Sequence, residues 1–139
     1  IQAEAIDFAS VHLYPEQWRL RILGKSSAED VKLAGQRWIS DHQQIASEAG
    51  KALFVGELGL KNNGDYSLDE RRSIYSAWFQ CAKNTGVAAV APWLFANDSR
   101  PDEWDDYTFY YQDGTDADDP DNRYADLLGD SRILDGLRQ

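Results

Sequence analysis

Short apolar runs alternate with amphipathic segments along most of the chain, and the two patterns predict different elements. The runs at residues 6–13, 53–58 and 87–95 are rich in apolar and β-branched side chains, which predicts three buried strands. The first run is expected to be mostly buried. The third run is nearly continuous in apolar residues, which is typical of a parallel strand covered on both faces.

The segment between the first two runs has the spacing of an amphipathic helix. A capping box of Ser26 and Glu29 is predicted to begin this helix, and Gly50 is predicted to end it. The apolar stripe that should face the core consists of Val31, Ala34, Trp38, Ile45 and Ala49.

A second helix is predicted between the second and third runs. A capping box of Ser67 and Glu70 precedes it, and Gly86 is expected to end it. Its expected apolar stripe consists of Ile74, Ala77, Trp78, Cys81 and Ala82. We expect Cys81, the chain's single cysteine, to be a buried and inert thiol with no disulfide partner.

The alternation of strand and helix predicts an α/β fold with parallel strands joined by crossovers. Two architectures fit this order, a doubly wound sheet and a (β/α) barrel. No glycine-rich phosphate-binding motif follows any of the strands, which weakens a nucleotide-binding interpretation. Polar and aromatic residues cluster instead where the strands end, and barrel enzymes place their active sites there. These residues are His12, Tyr14, Glu57, Trp93 and Asn97.

The pattern changes beyond residue 96. Residues 97–123 form a long acidic segment with aromatic residues in its middle, which predicts a functional or disordered loop, and a final helix is expected at about 124–137. An aspartate cluster in this loop lacks the residue order of a calcium-binding EF-hand, so a solvated acidic loop is the expected structure. The clustered residues are Asp113, Asp116, Asp118, Asp119 and Asp121.

Composition narrows the possible partners. A length of 139 residues predicts one domain, and the net charge is −10 at pH 7. Nucleic acids and anionic membrane surfaces both attract Lys and Arg, so this charge argues against both classes of partner. No apolar window is long enough to span a bilayer, so no membrane partner is expected.

Glu57 is the leading candidate for a catalytic residue. It ends an apolar strand, where a carboxylate is costly unless it is paired or used. A purely structural pairing with a basic side chain is the alternative. His12 and Tyr14 lie two residues apart and should share one face of their strand, although a core histidine and a packing tyrosine would show the same pattern. Trp93 could stack on a sugar ring or simply pack in the core.

Four segments, in this order and spacing, resemble glycoside hydrolase family 5, and its mannanase-like members most closely. They read IDFASVHLYPEQW at 6–18, RWISDHQQIASEAGKALFVGELGL at 37–60, ERRSIYSAWF at 70–79 and GVAAVAPWLF at 86–95. The resemblance implies that residues 1–139 form the C-terminal part, about strands six to eight, of a TIM (β/α)8 barrel. It also implies a retaining endo-β-glycanase that needs no metal or other cofactor.

The resemblance assigns roles residue by residue. It implies that Glu57 is the nucleophile, that His12 and Tyr14 line the site beside it, and that Trp93 is a stacking platform for the sugar. Trp18 is implied as a further substrate-binding residue, and Asn97 is predicted to be another because it lies where the third strand ends. The implied substrate is a β-1,4-linked polysaccharide, with mannan as the leading candidate. A polymer substrate implies an extracellular location.

The family's acid/base glutamate follows an asparagine, and no Asn-Glu pair occurs in this sequence. Retaining hydrolysis needs two carboxyl groups about 5 Å apart. We therefore expect this chain alone to be inactive. We expect an N-terminal part of the barrel to act as a separate chain, or self-association to cover the sheet edges. A non-catalytic carbohydrate-binding or assembly role is the main alternative, and an unrelated α/β domain with a structural Glu57 is the second.

Overall fold

The computed structural model describes residues 3–17, 27–61, 66–97, 107 and 109–111. Within them the parallel strands β1, β2 and β3 form a sheet in that order, and one helix follows each of the first two strands. Two further strands, β4 and β5, pair in parallel in a second small sheet. The elements are β1 Phe8–Leu13, α1 Ala28–Glu48, β2 Ala52–Leu58, α2 Leu68–Thr85, β3 Ala89–Pro92, β4 Phe95–Asn97 and β5 Phe109–Tyr111. The predicted α/β alternation is confirmed.

Both helices begin at a capping box, although the first box is not the predicted one. Ser27 precedes α1, its hydroxyl accepts a hydrogen bond from the Asp30 amide, and the Asp30 carboxylate accepts one from the Ser27 amide. The overlapping pairs Ser26–Glu29 and Ser27–Asp30 have identical spacing, so the pattern alone could not separate them. The hydrogen bonds from Ser27 lower the pKa of the Asp30 carboxyl.

The other helix ends agree with the sequence. Ser67 and Glu70 form the predicted capping box of α2, and the hydrogen bonds from Ser67 lower the pKa of the Glu70 carboxyl. Gly50 and Gly86 adopt φ angles of 66° and 84°, which are left-handed conformations. Glycine reaches this region without the steric cost that a Cβ brings, so each glycine stops its helix as predicted.

The buried face of α1 differs from the predicted stripe. Ile45 is 50% exposed, whereas Gly35, Ile39 and Ala46 are buried. Gly35 faces Trp78 of α2, where the two helices pack closely against each other. The buried residues of α2 follow the prediction more nearly and are Arg71, Ile74, Tyr75, Trp78 and Ala82.

Strand burial also departs from expectation. β1 lies at the edge of the three-stranded sheet, and Phe8 on it is 56% exposed, so the strand is half-exposed rather than mostly buried. β3, at the other edge, is only partly covered as well. The predicted third strand is split, because β3 ends at Pro92 and β4 begins at Phe95 in the second sheet. The peptide bond between Trp93 and Leu94, which lie between them, is cis.

Part of the segment predicted as a long loop is ordered. Tyr107 is buried, and β5 lies within the same segment. The aspartate cluster, Trp18, Ser26 and the predicted final helix lie outside the described residues.

Gly35 and Trp78 set the contact between the two helices. The Trp78 indole is fully buried, and its N–H donates to the Lys32 carbonyl of α1 at 3.1 Å. A Cβ built on Gly35 would lie 2.1 Å from the indole nitrogen. Nearby, the Cys81 thiol donates to the Gln36 carbonyl at 3.4 Å, and burial raises the pKa of this half-buried thiol.

Side chains of α2 hold the segment that follows β2. The Leu60 amide donates to the Tyr75 hydroxyl at 2.8 Å, and the Leu60 carbonyl accepts from Arg71 Nη2 at 3.1 Å. Both side chains are buried, and the Arg71 guanidinium lies 5.9 Å from the Tyr75 ring centroid. Burial raises the pKa of Tyr75 to about 12, with nearby Arg71 partly opposing this effect. The backbone at Leu60, three residues beyond Glu57, is therefore held through both its N–H and its C=O group.

Replacing Gly35 with alanine should destabilise the chain. Alanine favours a helix over glycine by about 1 kcal/mol, but overpacking of this kind costs about 1–3 kcal/mol and should outweigh that gain. Urea denaturation measures the free energy of unfolding. Gly50→Ala is the control, because nothing lies within 4 Å of that Cβ and only the left-handed backbone is strained. An increase in stability for Gly35→Ala would contradict the close contact with Trp78.

Replacing Tyr75 with phenylalanine should lower the unfolding free energy by about 1–3 kcal/mol at neutral pH, because the Leu60 amide loses its buried partner. The pKa of Tyr75 is raised from 10.0 to about 12 on folding. The stability that the hydroxyl provides is therefore complete below pH 10 and is lost as the pH rises toward 12, at about 1.4 kcal/mol per pH unit. The stability difference between the two proteins should shrink over this range.

The matched control for Tyr75→Phe is Ser76→Ala, an exposed position on the same helix. Its stability difference from the wild type should stay constant across the same pH range. A parallel decline for both variants would show that the effect does not come from the Tyr75 hydroxyl.

Candidate active site

The Glu57 carboxylate lies at the end of β2 and is held through one of its two oxygens. The Tyr14 hydroxyl donates to Glu57 Oε2 at 2.7 Å, and His12 Nδ1 lies 3.4 Å from the same oxygen. The Glu57 side chain is 29% exposed and that of His12 is 51% exposed, so the group is reachable from solvent. Among the described residues, these are the only polar side-chain contacts of Glu57, and neither involves Oε1.

Strand pairing brings these three residues together. His12 is the direct partner of Glu57 in the register between β1 and β2. Leu13 points into the core, so His12 and Tyr14 on either side of it lie on the opposite face, as their spacing predicts. The hydrogen bond from the Gly59 amide to the Leu13 carbonyl, at 3.0 Å, continues the pairing past Glu57.

Tyr14 is itself fixed by close packing. Its ring is buried and meets the Tyr107 ring edge-on, with centroids 5.3 Å apart. Gly59 makes room for both rings, since a Cβ there would lie 2.8 Å from Tyr14 and 2.9 Å from Tyr107. The ammonium group of Lys61 lies 5.9 Å from the Tyr107 ring centroid. These contacts leave the Tyr14 hydroxyl little freedom to move away from Glu57.

The loops after β1 and β2 are tied directly to each other. The Glu16 carboxylate accepts a hydrogen bond from the Lys61 amide at 2.8 Å. Together with the contacts of Leu60 to α2, this bond holds the chain just beyond Tyr14 and just beyond Glu57. The site residues missed by sequence reasoning are Glu16, Gly59 and Tyr107. Only Tyr107 left a signal in the sequence, as one of several aromatic residues within an acidic segment.

Of the remaining predicted site residues, Trp93 and Asn97 lie within the described part of the chain. The Trp93 amide donates to the Leu58 carbonyl at 2.8 Å, which brings its backbone next to the residue after Glu57, and the residue is 37% exposed. Asn97 ends β4, where it pairs with Tyr111. Trp18 lies outside the described residues.

The described residues contain no group of three His, Cys, Asp or Glu side chains that could hold a metal ion. No helix within these residues has the length and apolar character needed to cross a membrane.

Comparison with known proteins finds endo-β-mannosidases among the relatives of this chain. No family model matches the chain. Mannan endo-1,4-β-mannosidase A of Emericella nidulans is 32% identical over 111 residues, which cover 78% of this chain and 24% of that protein. The putative mannan endo-1,4-β-mannosidase 9 of Oryza sativa is 36% identical over 92 residues, which cover 61% of this chain and 21% of that protein.

A solved structure shows the same relationship. The endo-β-1,4-mannanase from Thermotoga petrophila superposes with a TM-score of 0.69 and 26% identity, covering 99% of this chain and 28% of that one. The chain thus spans about a quarter of the length of the relatives that it matches. Its parallel strands and intervening helices correspond to part of a TIM barrel. By sequence and by fold, the chain is a homologue of the endo-β-1,4-mannanases and corresponds to a portion of their barrel.

Proposed function

We propose that Glu57 is the nucleophile of a retaining endo-β-glycanase whose substrate is mannan. The observation that carries this proposal is the carboxylate geometry, in which Tyr14 and His12 both approach Oε2. The charge-assisted hydrogen bond from Tyr14 orients the carboxylate, and Oε1 is left for attack. The relatives from Emericella nidulans and Oryza sativa are named as mannan endo-1,4-β-mannosidases, which supports mannan as the polymer.

Glu57 Oε1 would attack the anomeric carbon and form a glycosyl ester as the glycosidic C–O bond breaks. The departing oxygen would take a proton from a carboxylic acid about 5 Å from Glu57, and water activated by the same group would then hydrolyse the ester. This chain has no Asn-Glu pair to supply that acid. We therefore place the acid/base carboxyl on another part of the barrel, and this chain alone would not turn over an unactivated polysaccharide.

The other predicted residues would bind sugar around Glu57. Trp93 is exposed enough to offer its ring face to the apolar side of a pyranose. His12 is half-exposed beside Oε2, within reach of a substrate hydroxyl. Trp18 and Asn97 are proposed as further contacts to the polymer. This binding and chemistry need no metal or other cofactor.

The sheet edges indicate what the chain needs from a partner. β1 lies at an edge with Phe8 exposed, and β3 lies at the other edge. Within the described part of the chain no further strand pairs with either edge, and open edges of this kind favour further strand pairing. We propose that an N-terminal part of the barrel supplied as a separate chain, or self-association, covers them. We also propose an extracellular location, because a polymeric mannan is found outside the cell.

Labelling of Glu57 tests the nucleophile directly. A 2-deoxy-2-fluoro-β-mannobiosyl donor with a dinitrophenolate leaving group needs no general acid, so the chain can react without the missing carboxyl. We expect intact-mass analysis to show one added glycosyl unit and peptide mapping to place it on Glu57. Glu57→Gln should remain unlabelled, whereas Glu48→Gln, an exposed helical control, should be labelled like the wild type. An unlabelled wild-type chain would favour the binding-only alternative.

Removing the Tyr14 hydroxyl should slow this labelling while the chain stays folded. A hydrogen bond to a charged group contributes about 1.5–3 kcal/mol, so Tyr14→Phe should label roughly 10- to 100-fold more slowly. The absorbance of the released dinitrophenolate gives the labelling rate, and the unfolding midpoint is measured in parallel. If Tyr14→Phe reacts at the wild-type rate, the hydroxyl does not orient the nucleophile.

A further inference from the structure

β1 alternates regularly, and β2 does not. On β1, Leu13 lies in the core with Ala9 and Val11 packed against it, and Ser10 and His12 lie on the exposed face. On β2, Leu53 and Val55 are in the core, so a strict period of two would place Glu57 there as well. Leu58 is buried instead, at 0% exposure.

One extra residue on β2 explains this change. Val11 pairs with Val55 and His12 pairs with Glu57, so Gly56 has no partner of its own on β1. The register with β3 is irregular over the same interval, between Val55 and Leu58. Both neighbours therefore locate a β-bulge at the same place on β2. In such a bulge two consecutive residues oppose one residue of the neighbouring strand.

The bulge brings Gly56 and Glu57 to the same face of the sheet. A Cβ built on Gly56 would lie 2.7 Å from Ser10 Oγ and 3.3 Å from His12 Nε2, both of which belong to the face that carries Glu57. Gly56 is not among the glycines with a positive φ. The position therefore demands glycine for space rather than for backbone conformation. The edge of the imidazole occupies the place that a side chain at 56 would take.

We propose that Gly56 is a positioning residue for the Glu57 nucleophile. Gly56 and Glu57 lie on the same face of the sheet at the bulge. Because Gly56 has no side chain, the His12 ring can pack over it and approach Glu57 Oε2. The inference rests on the proposed function of Glu57. Gly56 itself would touch neither the substrate nor the reacting atoms, and its effect on Glu57 would be transmitted by His12.

The test is a double-mutant cycle on the rate of Glu57 labelling by the same activated fluoroglycoside. Gly56→Ala should label roughly tenfold more slowly, because displacements of less than an ångström at a reacting group already cost rate. Gly56→Val, which adds two methyl groups more, should label more slowly still. Gly50→Ala is the matched glycine control and should label at the wild-type rate.

The rate losses of the single and double variants distinguish a positioning role of Gly56 from a general disturbance of the fold. In a His12→Ala background, Gly56→Ala should cause no further loss, because residues acting through one another do not contribute independently. Equal losses with and without His12, or a full recovery when Ser10→Gly relieves the 2.7 Å contact, would overturn the inference. If Gly56→Ala labels like the wild type, the inference fails while the nucleophile stands. If the wild type is not labelled at Glu57, the proposed function itself fails.

Discussion

The hydrogen bond from the Tyr14 hydroxyl to Glu57 Oε2 joins the end of β1 to the end of β2, and the nearby packing is arranged around it. Tyr107 supports the Tyr14 ring from the side, and Gly59 has no side chain to keep the rings away. The hydroxyl can approach the carboxylate closely because the two strands are parallel and in register at His12 and Glu57. A short charge-assisted bond of this kind is sensitive to small shifts, which explains why so many contacts converge on the adjoining loops.

Both apolar packing and hydrogen bonds hold the backbone next to Glu57 in place. Leu58 and Leu60 are buried on either side of Gly59 and anchor the backbone to the core. Arg71 and Tyr75 satisfy the polar groups of Leu60, which would otherwise be costly so deep in the protein. The carboxylate itself remains partly exposed. Solvent and the Tyr14 hydroxyl stabilise its charge, so Glu57 does not depend on a buried ion pair.

Much of the fold could be predicted from the sequence, since helix ends such as Ser67 and Gly86 carry local signals. Contacts between elements could not. Gly35 is buried because Trp78 lies across it, and no local pattern indicates which helix supplies that ring. The convergence of His12 and Tyr14 on one face follows from spacing. The orientation of Glu57 does not, because strict alternation along β2 would have directed it into the core, and only pairing with β1 and β3 locates the bulge.

The contacts that hold Glu57 and the segment after it join residues that lie at different distances along the chain. Arg71 and Tyr75 lie only 11 and 15 residues beyond Leu60, whereas Tyr14 lies 43 residues before Glu57. The entropy lost on closing a loop grows with the logarithm of its length, so the contacts to α2 cost less chain freedom. The segment just after β2 and the helix α2 thus form a short-range unit that can order the backbone beyond the carboxylate before the hydroxyl from β1 arrives.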